Sequence, residues 1–118
     1  MHNNPAVLPA EAISKIQMLV NALVHSDWKT LEGMGVCQRV PVQDLQRVLV
    51  EYGISLAEHP GSAWPACMEI YSTMDPDLWF VDLALWGPDG ETDLTLQLSV
   101  ARSAESVLSL TINDLRVL

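Results

Sequence analysis

Asp93-Leu94-Thr95-Leu96-Gln97-Leu98-Ser99-Val100 alternates polar and apolar residues without a break. In an extended chain successive side chains point to opposite faces, so this run predicts a strand with one dry face and one wet face. Leu108-Ser109-Leu110-Thr111-Ile112-Asn113 repeats the pattern. Leu115 and Val117 then fall out of phase, and one extra residue near Asn113-Asp114, a β-bulge, returns both to the core side. Upstream, Leu78 to Trp86 predicts a third strand, joined to the next through Gly87-Pro88-Asp89-Gly90, a hairpin-type turn. Cys67 to Thr73 predicts a weaker fourth, turned by Asp75-Pro76-Asp77.

The first half of the chain has the other period. Ile13, Ile16, Val20 and Leu23 recur at spacings of three and four behind Pro9, which predicts an amphipathic helix of about four turns. Ser26 and Asp27 are N-capping residues, so Asp27 to Glu32 predicts a separate short helix, ended by Gly33-Met34-Gly35. Pro41 opens a further helix with Val42, Leu45, Val48, Leu49 and Tyr52 on one face, and Gly53 is placed to close it left-handed. Ser55 to Pro65, with Pro60, Gly61 and Ser62, reads as a connecting loop. Helices first and strands afterwards imply an α+β fold, two or three N-terminal helices packed on one face of a four-stranded antiparallel meander. Residues 1–8 read as a flexible arm and 9–118 as a single domain.

Composition narrows the function classes. With 118 residues, 49% hydrophobic and 18% charged, the chain fits one packed domain and no separate cofactor-binding half. Its net charge of −9 argues against nucleic acid and against anionic lipid. Residues 60–118 carry net −7 of it. Nothing before the first apolar run reads as a secretory signal, and Ile16 to Val24 is too short to span a bilayer, so a cytoplasmic location is expected. Cys37 and Cys67 stand 30 residues apart without a CxxC, which suggests two reduced thiols rather than metal or redox chemistry. No metal and no cofactor are expected.

Catalytic motifs are weak. His25-Ser26-Asp27 holds the three triad letters, but consecutive side chains on a helix diverge by about 100° and cannot converge on one centre. Ser26-x-x-Lys29 matches a nucleophile motif without its companions, and a helix cap is the simpler reading. Gly33-x-Gly35 lacks the third glycine of a phosphate cradle. His2, His25 and His59 are scattered and read as solvated surface residues. Asp82 has more to recommend it. Trp79, Val81, Leu83 and Leu85 form a purely apolar face that predicts contact with the helices. Leu78, Phe80, Asp82, Ala84 and Trp86 share the other face, where a cover would desolvate the carboxylate and fit it for acid–base work. A solvent-facing aspartate is the plainer alternative.

The run Trp79-Phe80-Val81-Asp82-Leu83-Ala84-Leu85-Trp86, then Asp93-Leu94-Thr95-Leu96 and the terminal Asp114-Leu115-Arg116-Val117-Leu118, resembles an uncharacterised bacterial domain family. That family shows W-x-V-D-L-x-L-W-T, S-D-L-T-L and a terminal D-L-H-V-L. Glu51-Tyr52-Gly53 and the Pro60 loop also fit, so the resemblance covers roughly residues 42–118. Gly87, Thr92 and Arg116 depart from the pattern. The order of elements, with Asp27-Trp28 after the first helix, also resembles small NTF2-like or cystatin-like domains, which include ligand pockets, small isomerases, dimerisation modules and toxin-immunity proteins. No catalytic residue is implied by the family.

Three functions are consistent with this reading. The first is a non-catalytic acidic module that binds a protein partner, most concretely an immunity or antitoxin protein against a basic toxin, with Asp75, Asp77, Asp89, Glu91 and Asp93 as contacts. The second is a small NTF2-like ligand binder or pocket enzyme using Asp82. The third is a homodimer joined through Leu78, Phe80 and Trp86 on the open sheet face. The absence of an acid–base partner for Asp82 leans the reading away from an enzyme.

Overall fold

The computed structural model describes residues 7–61 and 64–118. Four helices, α1 (Ala10–Val24), α2 (Trp28–Gly33), α3 (Val42–Tyr52) and the single turn α4 (Trp64–Cys67), precede β1 (Met68–Ser72), β2 (Leu78–Gly87), β3 (Gly90–Arg102) and β4 (Leu108–Val117). The strands pair antiparallel in the order β1-β2-β3-β4. The fold is α+β, with a meander whose inner face is covered by the helices.

The apolar stripes meet as the spacing predicts. Ala12, Ile16, Leu19, Val20 and Leu23 of α1 are buried with Leu31 and Leu45 against Val81, Leu83, Leu85, Leu94, Leu96, Leu98, Val100, Leu110 and Ile112. Asp27 caps α2, its carboxylate accepting the Thr30 amide at 3.2 Å and the Thr30 hydroxyl at 2.7 Å. Those two bonds, the hydroxyl's first, hold the Asp27 carboxyl below the ordinary range. Gly53 closes α3 at φ 80°, a conformation that costs a residue with a Cβ roughly 1 kcal/mol or more.

The bulge lies where the phase slip places it. Gln97 pairs with Asp114 but Leu98 pairs with Ile112, leaving Asn113 as the extra residue. Leu115 is thereby returned to the core. Val117 is not: it pairs with Leu94 at the end of β4 and is 49% exposed.

Three further expectations need correcting. Cys67 belongs to α4 and the edge strand is only Met68–Ser72, because a Cys67 thiol bonded to the Trp64 carbonyl at 3.2 Å ends a helical turn rather than a strand. Of the expected arm, residues 1–6 lie outside those described; Val7 is exposed, but Leu8 is 4% exposed and joins the core cluster, so packing begins one residue before Pro9. The reading of Ser55 to Pro65 as a plain connection misses its pairing with β2. The Ala57 amide donates to the Trp86 carbonyl at 2.7 Å, extending the sheet edge beyond the end of β1. No helix among the described residues is long and apolar enough to cross a membrane.

Candidate functional site

Among the described residues the outer face of the sheet carries no helix. Its centre is fixed by register: Tyr71 of β1 lies opposite Phe80 of β2, which lies opposite Ser99 of β3 and, through it, Thr111 of β4. The neighbouring row runs Glu69, Asp82, Gln97, Asp114. Directly opposed side chains on one face of a sheet sit about 4.5–5.5 Å apart at Cβ, so the two rows form one patch. Phe80 is 43% exposed and Tyr71 44% exposed.

Polar side chains around the pair are tied to one another. The Gln97 amide donates to Asp82 at 3.2 Å, the Asn113 amide to Ser99 at 2.6 Å, and the Tyr71 hydroxyl to Glu69 at 3.2 Å. Partial burial of the phenol, then the hydrogen bond and charge of Glu69 and the charge of Asp82, push the Tyr71 hydroxyl above its ordinary range. Tyr71 therefore remains a neutral donor throughout the physiological range. Glu69 and Asp82 are like charges in directly opposed positions, an arrangement that costs stability unless a cation compensates it. Arg116 and Arg39 stand only at the β4 margin, bonded to Asp114 (3.9 Å) and Asn113 (3.5 Å).

The acidic candidates do not gather in one place. Asp75 and Asp77 precede β2, and Asp89, Glu91 and Asp93 follow it, so the ten residues of that strand hold the two groups roughly 30 Å apart. Asp77 is paired with Arg102 at 2.9 Å, and that guanidinium lies 5.2 Å from the Trp79 ring centre. Asp75 accepts the Asp77 amide at 2.9 Å. Asp93 accepts the Tyr52 hydroxyl at 2.6 Å, fastening the end of α3 to the sheet. Asp89 and Glu91 are exposed at the β2–β3 turn. On the open face Phe80 and Asp82 are neighbours, Leu78 is half-buried at the start of β2, and Trp86 lies toward the other end, half-buried against His59.

Two features escape the sequence. Tyr71 is the aromatic partner of Phe80, visible only once the β1–β2 register is known. His59, expected on the surface, is 8% exposed. Its Nε2 donates to the Ala84 carbonyl at 2.7 Å, and its ring stacks on Trp64 at 4.7 Å and lies 6.0 Å from Trp86. A carbonyl can only accept, so Nε2 carries a proton. The His59 Nδ1 and the Trp86 Nε1 are buried without a partner among the described residues. The tripeptide Glu58-His59-Pro60 gives no periodicity from which to infer this; it is the missing strand beside Ala84 that calls for a donor.

The cysteines behave as structural thiols. Burial, with Glu91 nearby, pushes Cys67 up to about 11, and burial with Glu32 raises Cys37. Among the described residues no cluster of His, Cys, Asp and Glu has the makings of a metal site.

Helices over one face of a meander, with an aromatic and acidic patch on the other, define a small α+β domain with an open sheet face. The chain belongs to the family described as a domain of unknown function, DUF7668, whose model matches residues 20–118. The match reaches further upstream than residue 42 and takes in the end of α1, α2 and all four strands. No curated protein and no solved structure matches the chain.

Proposed function

We propose that the protein is a non-catalytic binding module whose open sheet face receives a basic protein partner, as an immunity or antitoxin protein of the cytoplasm does. The observation that carries this reading is the Tyr71–Phe80 pair, nearly half exposed and bordered by Glu69 and Asp82. Aromatic side chains supply contact area at low entropic cost, and carboxylates beside them steer and register cationic groups. An arginine or lysine of the partner placed between Glu69 and Asp82 would relieve their mutual repulsion, which ties the free face's strain to the bound state's gain.

The same charges weigh against self-association through this face. An isologous contact brings the same patch of two copies together, and here it would add carboxylates to carboxylates. The pocket-enzyme alternative has less support. Asp82 accepts a hydrogen bond from Gln97 and lines neither the groove under α1 nor the smaller one at the β2–β3 turn.

A photo-reactive phenylalanine analogue at position 80, expressed in the native cell, tests the proposal against the same analogue at the exposed position 29 on α2. A basic protein joined from position 80 and not from position 29 is the expected result. Joining to a second copy of this chain, or to nothing, overturns it.

A further inference from the structure

On the helix side of the sheet, away from the Tyr71–Phe80 patch, α1 and the residues Glu58, His59, Gly61 and Trp64 border an open groove of about 570 Å³. That is within the range of about 300–1,000 Å³ typical of small-molecule sites. One wall is the α1 ladder Ser14, Gln17 and Asn21, at the spacing that aligns side chains on one helix face. The other wall is Glu58, His59 and the Trp64 indole. His59 is held rigid by the Ala84 carbonyl and by its stack on Trp64. Glu58 is fixed by His25 through Oε2 at 2.9 Å, leaving Oε1 uncommitted.

The charge of this lining is one-sided. The Glu58 carboxylate can only accept, Ser14, Gln17 and Asn21 can accept as well as donate, and no lysine or arginine lines the groove among the described residues. A ligand answering the carboxylate and the indole together carries donors and positive charge and is flat enough to lie on the ring. We propose that the groove binds a planar organic cation of the guanidinium or amidinium type, with Glu58 as counter-ion and the Trp64 ring as its platform. A guanidinium carries five donors in one plane and stacks on aromatic faces, so it can address Glu58, Asn21 and Gln17 together.

The source is either a free alkylguanidine or an arginine side chain presented by a peptide, and the two are separable. Butylguanidinium, the uncharged isostere butylurea, and acetyl-Gly-Arg-Gly-amide are titrated into isotopically labelled protein and followed by NMR. Saturating shifts confined to Gln17, Asn21, His59 and the Trp64 indole are expected with butylguanidinium, the peptide or both, and which of them binds identifies the source. Butylurea should bind about tenfold more weakly or worse, and Glu58→Gln should weaken the cation by a similar factor, since hydrogen bonds to charged groups are the strong ones. Glu58 is exposed, so this variant should fold as the parent does, and Trp64→Phe supplies an independent test of the aromatic platform. The proposal is overturned by shifts scattered over Asp75, Asp89 and Asp114, by equal affinity for butylurea, by an unchanged affinity in Glu58→Gln, or by no saturation below about 10 mM.

Discussion

The His59 imidazole donates to the Ala84 carbonyl at 2.7 Å across 25 residues of sequence. With Ala57 bonded to Trp86, it caps the two β2 carbonyls that extend past the five-residue edge strand β1. An uncovered strand edge leaves unpaired backbone groups and invites association with other chains, so this bond protects the fold as well as stabilising it.

His59→Ala should therefore lower stability by about 1–3 kcal/mol, the cost of leaving a buried acceptor unpaired together with the lost stack. His59→Phe keeps a ring against Trp64 and should recover part of that loss. Urea melts of both variants check this; a loss under about 0.5 kcal/mol for His59→Ala would show that the edge is closed by other groups.

Leu96 is fully buried on β3 between the other leucines of the inner face. Leu96→Ala should cost about 2–5 kcal/mol through lost transfer energy and the cavity left behind. The denaturation midpoint should fall while the slope with urea stays unchanged, since the same surface is exposed on unfolding.

Asn113 is the unpaired residue of the β3–β4 bulge. Inserting one glycine after Asn113 moves Leu115 to the outer face and puts Asp114 in its place toward the core, because a one-residue slip reverses every later side chain. The loss of one buried leucine alone is worth about 1.5–3 kcal/mol, and the misplaced aspartate adds to it. Deleting Asn113 removes the bulge, leaves Leu115 opposite Leu96 and should be far milder. Equal melts for the insertion and the parent would mean that the strand end is not packed as described.

The Cys67 thiol, raised to about 11, should react with a disulfide reagent more slowly than a free thiol at pH 8, and the rate should climb as pH passes 9 toward 11. Its folded pKa exceeds its unfolded one, so the unfolded chain loses the proton first. The neutral thiol's contribution to stability is whole below pH 9 and declines as pH rises from about 9 through about 11. A fast reaction at pH 8 would contradict the burial.

If a basic partner docks on the open face, reversing Glu69 and Asp114 to lysine should slow its association about tenfold at low salt. Reversing Asp75 and Asp89, at the two ends of β2, should slow it much less. The difference should shrink above about 0.1 M salt, where the Debye length falls under about 10 Å. Stopped-flow association across a salt series reads both effects; equal slowing by the two pairs would place the contact at the turns instead.

The local rules carry the elements with strong periodicity. The stripe of Ile16, Val20 and Leu23, the caps at Asp27 and Gly53, and the alternation of Leu94 to Val100 each follow from contacts within a few residues. The bulge was legible for the same reason, since Ile112 and Leu115 cannot both face inward without one extra residue between them. What depends on pairing between distant segments was not legible. Tyr71 meets Phe80 only through the β1–β2 register, and the turn acids separate because β2 lies between them at full length. His59 is buried because β1 stops short and leaves a carbonyl to satisfy, a demand set by backbone geometry some 25 residues away. Periodicity reports which face of an element is dry; it is the closing of the sheet that decides which side chains become neighbours on the wet one.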